Sequence, residues 1–143
     1  MSNTMQWPYP GLGHAPSYQV SGIPFVTGGL TVPVESGTPL QITFPYVTKN
    51  VTIHLLTKNK TLRVGFSALG VSGSATNYFA IDSSSPSDPV VTFDTKCSSI
   101  FLISNSNDQL SASVFASLTS IPISELANSG PKGANWSGSS GVG

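Results

Sequence analysis

Short runs in which apolar and polar residues alternate recur along most of this chain, and that period constrains the fold more than any other feature. Val51, Ile53 and Leu55 alternate with Thr52 and His54, and Leu62, Val64 and Phe66 alternate with Arg63 and Gly65. Phe79 and Ile81 flank Ala80, and Val91 and Phe93 flank Thr92. Ala112, Val114, Ala116 and Leu118 alternate with Ser113, Phe115 and Ser117. Successive side chains of an extended backbone point to opposite faces, so each run reads as a strand with one buried face. Breakers separate the runs: Gly37-Thr38-Pro39, Lys58-Asn59-Lys60, Gly70 to Ser74, Ser83 to Pro89 and Asn105 to Asp108. No Asn-Gly or Asp-Gly hairpin dipeptide occurs. The pattern predicts strands near 18–26, 29–34, 39–44, 50–57, 61–67, 77–82, 90–94, 99–104 and 111–120. Eight or nine short strands spaced by about 8–12 residues point to an all-β sandwich or barrel.

Helical signals are scarce. No segment sustains an apolar stripe at the helical period, and Ser124-Glu125-Leu126-Ala127 has room for one turn at most. Ser99-Ile100-Phe101-Leu102-Ile103 is continuously apolar after its serine. That suits a central strand covered on both faces, by an arm or by a neighbouring subunit, and equally a plain core strand with one extra apolar position outward.

The ends differ from the middle. Residues 1–22 mix Pro8, Pro10, Gly11, Gly13 and Pro16 with Trp7, Tyr9 and Tyr18. Proline holds the backbone extended and removes donors, so this stretch reads as an irregular arm. Its aromatic side chains make Trp7, Tyr9 and Tyr18 candidate contacts with a partner surface. Residues 23–123 form the β-domain, and residues 124–143 form a Gly/Ser-rich second arm that carries Trp136. Two readings of this arm stand side by side: a strap anchored on a neighbour by Trp136, or a flexible tail. The start, Met1-Ser2-Asn3-Thr4-Met5-Gln6-Trp7-Pro8, has no positive segment followed by an apolar core, so no secretion signal is expected. No run approaches about 20 apolar residues, so no membrane span is expected either.

Composition enters when chemistry is sought. Of 143 residues only 8% are charged, six basic and six acidic, where soluble domains carry about 25%. There is no basic surplus to bind a phosphate backbone, so nucleic acid is not an expected partner. With 38% hydrophobic residues the chain is not composed like a disordered one. A surface so poor in charge tends to associate, which favours a subunit covered by other subunits over a lone domain kept soluble by hydroxyls or glycans.

Catalysis needs titratable groups brought together, and few are present. Glu35, Asp82, Asp88, Asp94, Asp108 and Glu125 fall mostly at strand ends and turns. His14 sits in the first arm and His54 in a strand, with no metal-binding or triad spacing around either. Cys97 is the single cysteine and reads as a small buried thiol, so no intrachain disulfide can form. The oxygen-rich stretch from Asp82 to Asp88 reads as a turn in preference to a calcium loop. Asn50-Val51-Thr52, Asn59-Lys60-Thr61 and Asn135-Trp136-Ser137 match the glycosylation triplet and are expected to be unmodified. No catalytic residue, cofactor or metal is therefore assigned, and the chain is not expected to be an enzyme.

A charge-poor, Ser/Thr-rich, eight-stranded domain with arms resembles the single jelly-roll capsid subunits of viruses. More narrowly, three segments are similar to the penton, or vertex, proteins of large icosahedral DNA viruses of the chlorovirus and giant-virus type. They are Phe44-Pro45-Tyr46-Val47-Thr48, the run from Val114 to Pro122, and the ending from Gly130-Pro131 through Asn135-Trp136-Ser137-Gly138 to Gly141-Val142-Gly143. The likeness spans about residues 40–143 and includes no chemical signature. It implies a single eight-stranded jelly-roll β-sandwich with extended arms, located at the capsid vertex of a virion assembled in the host cell. It implies five copies around each vertex, a homopentamer, touching the major capsid protein and other minor capsid proteins. Two rivals are weighed against it. A receptor- or carbohydrate-binding β-sandwich, such as a fibre tip or decoration domain, needs a rigid cluster of exposed aromatics, yet Trp7, Tyr9 and Trp136 lie in the arms. A cupin-like enzyme needs a histidine cluster that two scattered histidines do not supply.

Overall fold

The computed structural model describes residues 15–19, 21–72, 76–83 and 89–124. Among them the chain lays down eight strands: β1 Ile23–Val32, β2 Leu40–Thr43, β3 Tyr46–Leu55, β4 Thr61–Gly65, β5 Phe79–Asp82, β6 Val90–Phe93, β7 Ser99–Ser104 and β8 Leu110–Pro122. Two single-turn helices join them, α1 Pro16–Gln19 and α2 Ala68–Val71. Sheet A has the order β1-β8-β3-β6 and sheet B the order β2-β7-β4-β5. Every pairing is antiparallel. Each connection passes from one sheet to the other, except β4 to β5, which stays within sheet B.

The two sheets form a β-sandwich because alternate residues of each strand face the other sheet. Val51, Ile53 and Leu55 from β3, with Ala112, Val114, Ala116 and Leu118 from β8, meet Leu62, Val64, Ile100, Leu102 and Ile81 from sheet B. Burial at about 25 cal/mol per Å² makes this layer the main source of stability. Aromatic pairs sit at both flanks. Phe25 packs edge-on against the fully buried Phe44 at 5.0 Å beside β1, and Phe79 meets Phe93 at 5.3 Å beside β5 and β6.

Three expectations need correction. The strand predicted at 18–26 starts at Ile23 and is preceded by α1, which lies beside β8. The strands predicted at 18–26 and 29–34 are a single β1, because Gly28-Gly29 is a bulge and not a break. Thr27 pairs with Val114 and Leu30 with Ala112, so one extra residue is inserted on β1, and Gly29 takes a φ of 62° that favours glycine. β3 also begins earlier than expected, at Tyr46, across two register shifts between Tyr46 and Asn50. Threonines satisfy the backbone there. Thr48 Oγ1 donates to the Thr95 carbonyl at 2.7 Å and accepts from the Cys97 N–H at 3.0 Å, and Thr119 Oγ1 donates to the Val47 carbonyl at 2.8 Å.

The apolar run of β7 is buried on its core side and, on its outer side, fully covered at Ile103 and half-covered at Phe101. Ile100 and Leu102 face the core, while Ile103 on the opposite side is fully buried. α2 packs on β4 and β7 on that side. The sequence pattern does not predict α2, although its signal is present: Ser67 caps it by accepting the Gly70 N–H at 3.1 Å.

Candidate interaction face

The outer sides of the two sheets differ sharply. Sheet B is roofed at β4. Arg63, expected to point to solvent, is buried: its Nε donates to Asn105 Oδ1 at 2.7 Å, Nη1 to the Val71 carbonyl at 3.1 Å and Nη2 to Glu35 Oε1 at 3.3 Å. Its guanidinium lies 4.6 Å from the centre of the Tyr78 ring. Next to it Gly65 leaves the space that Val71 fills, since a Cβ there would stand 2.5 Å from Val71 Cγ1. One arginine thus ties the β1–β2 loop, α2, the segment before β5 and the loop after β7 into a lid over sheet B. The lid also occupies a face of Tyr78.

Among the described residues, sheet A has no such cover beyond α1 and Gly22, which lie at its Ser117 end. Registers place Pro24, Val26 and Thr31 of β1 on its outer side, followed by Ser111, Ser113, Phe115 and Ser117 of β8. Asn50, Thr52 and His54 of β3 and Val90 and Thr92 of β6 complete it. None of these side chains is a lysine, arginine, aspartate or glutamate. The central row runs Val26, Phe115, Thr52, Thr92 across all four strands, with the two threonine hydroxyls joined at 2.9 Å. Val26, Phe115 and Val90 are exposed large apolar side chains on an otherwise hydroxylic surface. Small hydroxyl residues between them keep the surface flat.

Charge is displaced to the margins. An open groove of about 620 Å³ borders this face at one end and is lined by Tyr18, Lys49, Asn50, Asp94, Thr95 and Lys96. Lys96 Nζ stands 5.4 Å from the centre of the Tyr18 ring, and partial burial raises the Tyr18 phenol above its ordinary pKa. At another margin Lys60 pairs with Asp108, whose carboxyl is held below the usual range by that hydrogen bond and charge. An uncharged centre with a charged rim is the layout of a protein–protein contact surface.

Of the candidate contact residues named from sequence, Tyr18 lies on α1 at the groove, half-buried; Trp7, Tyr9 and Trp136 lie outside the described residues. The face itself was not picked out beforehand, though its signal is in the sequence: the outward phase of the β3 and β8 runs carries Asn, Thr, His, Ser and Phe and no charge. Cys97 is buried as expected, in contact with Thr48 Oγ1 at 3.3 Å, and burial pushes its thiol pKa up. Among the described residues no group of three or more His, Cys, Asp or Glu side chains is placed to hold a metal ion. No helix among them is long and apolar enough to cross a membrane. Comparison with protein-family models, characterised proteins and solved structures finds no match to the chain.

Proposed function

We propose that this protein is a structural capsid subunit: a single jelly roll that forms homopentamers at the vertices of a large icosahedral DNA virus. The uncharged outer face of sheet A, left largely open by the described residues, carries the assembly part of this reading. A four-stranded surface without ions, interrupted by exposed Val26, Phe115 and Val90, can be covered by a neighbour without stripping water from a charge. Neighbouring major and minor capsid proteins are its partners in this scheme.

Strand pairing supports the jelly roll. β1 pairs with β8, β2 with β7, β3 with β6 and β4 with β5, so each pair of numbers sums to nine. One long antiparallel ribbon with its tip between β4 and β5, rolled into two sheets, yields that rule and the orders β1-β8-β3-β6 and β2-β7-β4-β5. The reading assigns the chain no catalytic step and no cofactor. Native mass spectrometry of the purified chain tests it, with a fivefold mass expected, and density for this chain at particle vertices is the stricter check. A monomer at every concentration, with no place in a shell, overturns it.

A further inference from the structure

We propose that residues 1–14 of this chain occupy the groove at the end of sheet A, with Trp7-Pro8-Tyr9-Pro10 laid against Lys49 and Lys96 of the same copy. This contact requires neither the capsid nor self-association.

The described end of the arm already leads there. Going back from β1, Gly22 passes so close over β8 that a Cβ on it would stand 2.6 Å from Ser117 Cβ. Ser117 pairs with Asn50 of β3, a residue of the groove wall. α1 lies beside β8, and its Tyr18 lines the groove, with the Lys96 ammonium 5.4 Å from the ring centre. The chain thus runs from β1 past β8 to a groove walled by β3 and by Asp94, Thr95 and Lys96 after β6. Residue 14 joins the described chain at Ala15, next to α1, so the rest of the arm starts at this groove. A volume of about 620 Å³ is ample for two aromatic side chains, since sites of about 300–1,000 Å³ enclose drug-sized molecules.

Chemistry selects the occupant. Residues 1–14 contain no lysine, arginine, aspartate or glutamate and carry Trp7 and Tyr9. The groove offers two ammonium groups, and an ammonium is drawn to the face of an aromatic ring, most strongly to tryptophan. Tyr18, from the same arm, shows this mode of contact with Lys96. Pro8 and Pro10 hold their segment extended beforehand, which lowers the entropy lost on docking. Trp7 stands eight residues before Ala15, within about 29 Å of it even on a fully extended chain. So short a tether gives the arm an effective concentration in the millimolar range, well above that of another molecule's arm in dilute solution.

Trp7 and Trp136 are the only tryptophans, so Trp136→Phe leaves Trp7 as the sole reporter in the full chain. Its emission is expected at shorter wavelength than in urea, with acrylamide quenching several-fold slower, and neither should depend on protein concentration. Adding Lys49→Ala and Lys96→Ala together is expected to move the emission toward its value in urea and to restore fast quenching, with circular dichroism verifying the fold. If the pair does not fold, each substitution is made singly. A native Trp7 quenched as fast as in urea overturns the proposal, as does protection that survives the lysine substitutions in a folded chain. Protection that appears only as concentration rises places the arm on another copy and overturns it too. A monomer with a protected, lysine-dependent Trp7 sustains this contact while overturning the vertex reading.

Discussion

Arg63 shows how much one side chain can be asked to hold. Its guanidinium reaches Asn105, Glu35 and the Val71 carbonyl from a buried position, so removing it leaves a buried carbonyl without its donor. Charge-assisted hydrogen bonds contribute about 1.5–3 kcal/mol each, and unpaired buried groups cost about 1–3 kcal/mol. Arg63→Met, which keeps most of the apolar stem, is expected to lower unfolding stability in urea by about 2–4 kcal/mol. Glu35→Gln is expected to cost less than about 1 kcal/mol, since the Glu35 carboxylate is partly solvated and screened. Cys97 gives a test in pH. Its thiolate would be poorly hydrated, so the folded chain keeps the thiol proton to higher pH than the unfolded chain does. The stability this group contributes is whole below the ordinary thiol pKa of about 8.5 and drains as pH climbs past it. Urea midpoints of the parent are expected to fall between pH 8.5 and about 10 more than those of Cys97→Ala. In native protein at pH 8 a thiol-reactive dye should label Cys97 only as fast as the sandwich opens.

The elements depend on a few close approaches. α2 is a single turn, too short to form alone, and it persists because Val71 sits in the space left by Gly65. Gly65→Ala places a methyl 2.5 Å from Val71 Cγ1 and 3.2 Å from the Asn77 carbonyl. Overpacking of this kind costs about 1–3 kcal/mol. Hydrogen exchange should then show lost protection at Gly70, whose N–H bonds to the Ser67 cap, before the amides of β4 are affected. At the β1 bulge the constraint is conformational. Gly29 has open space around the position of a Cβ but a φ of 62°, so Gly29→Ala is strained by about 1 kcal/mol for backbone reasons alone.

At the scale of the molecule, the described charges lie in loops, at strand ends, under the lid of sheet B and at Lys49 in the irregular start of β3, while β1, β6 and the rest of the outer face of sheet A carry none. Association through such surfaces is hydrophobic, and salt acts on it differently than on ion-paired interfaces. Raising sodium chloride from 50 to 500 mM should leave the mass of the proposed oligomer unchanged, because the proposed contact face holds no charges to screen. Sulfate at similar ionic strength should strengthen association, since it is excluded from the apolar surface that association hides. Sedimentation velocity across both salts checks the pair of outcomes; dissociation in sodium chloride would mean that the Lys49, Lys96 and Asp94 margin carries the contact instead.

Alternation alone determined most of the strands and their buried faces, because whether a side chain in an extended run points in or out is settled by the backbone within two residues. It also told that Val51, Ile53, Leu55, Val114 and Ala116 belong inside, and that Cys97 stands in an apolar setting. The expected gap between strands 18–26 and 29–34 failed for a local reason: a Gly-Gly pair serves a turn and a bulge equally well, and only the β8 partner distinguishes them. Arg63 was misplaced for a different reason, since its alternation puts it outward and nothing nearby in sequence announces that α2, Glu35 and Asn105 will close over it. Which strands pair and which sheet face the described residues leave largely open were decided by the tertiary structure. Those features join residues as remote as Ile23 and Leu118, and the free energy that selects one such closure over another belongs to the whole packed sandwich and to no single segment of it.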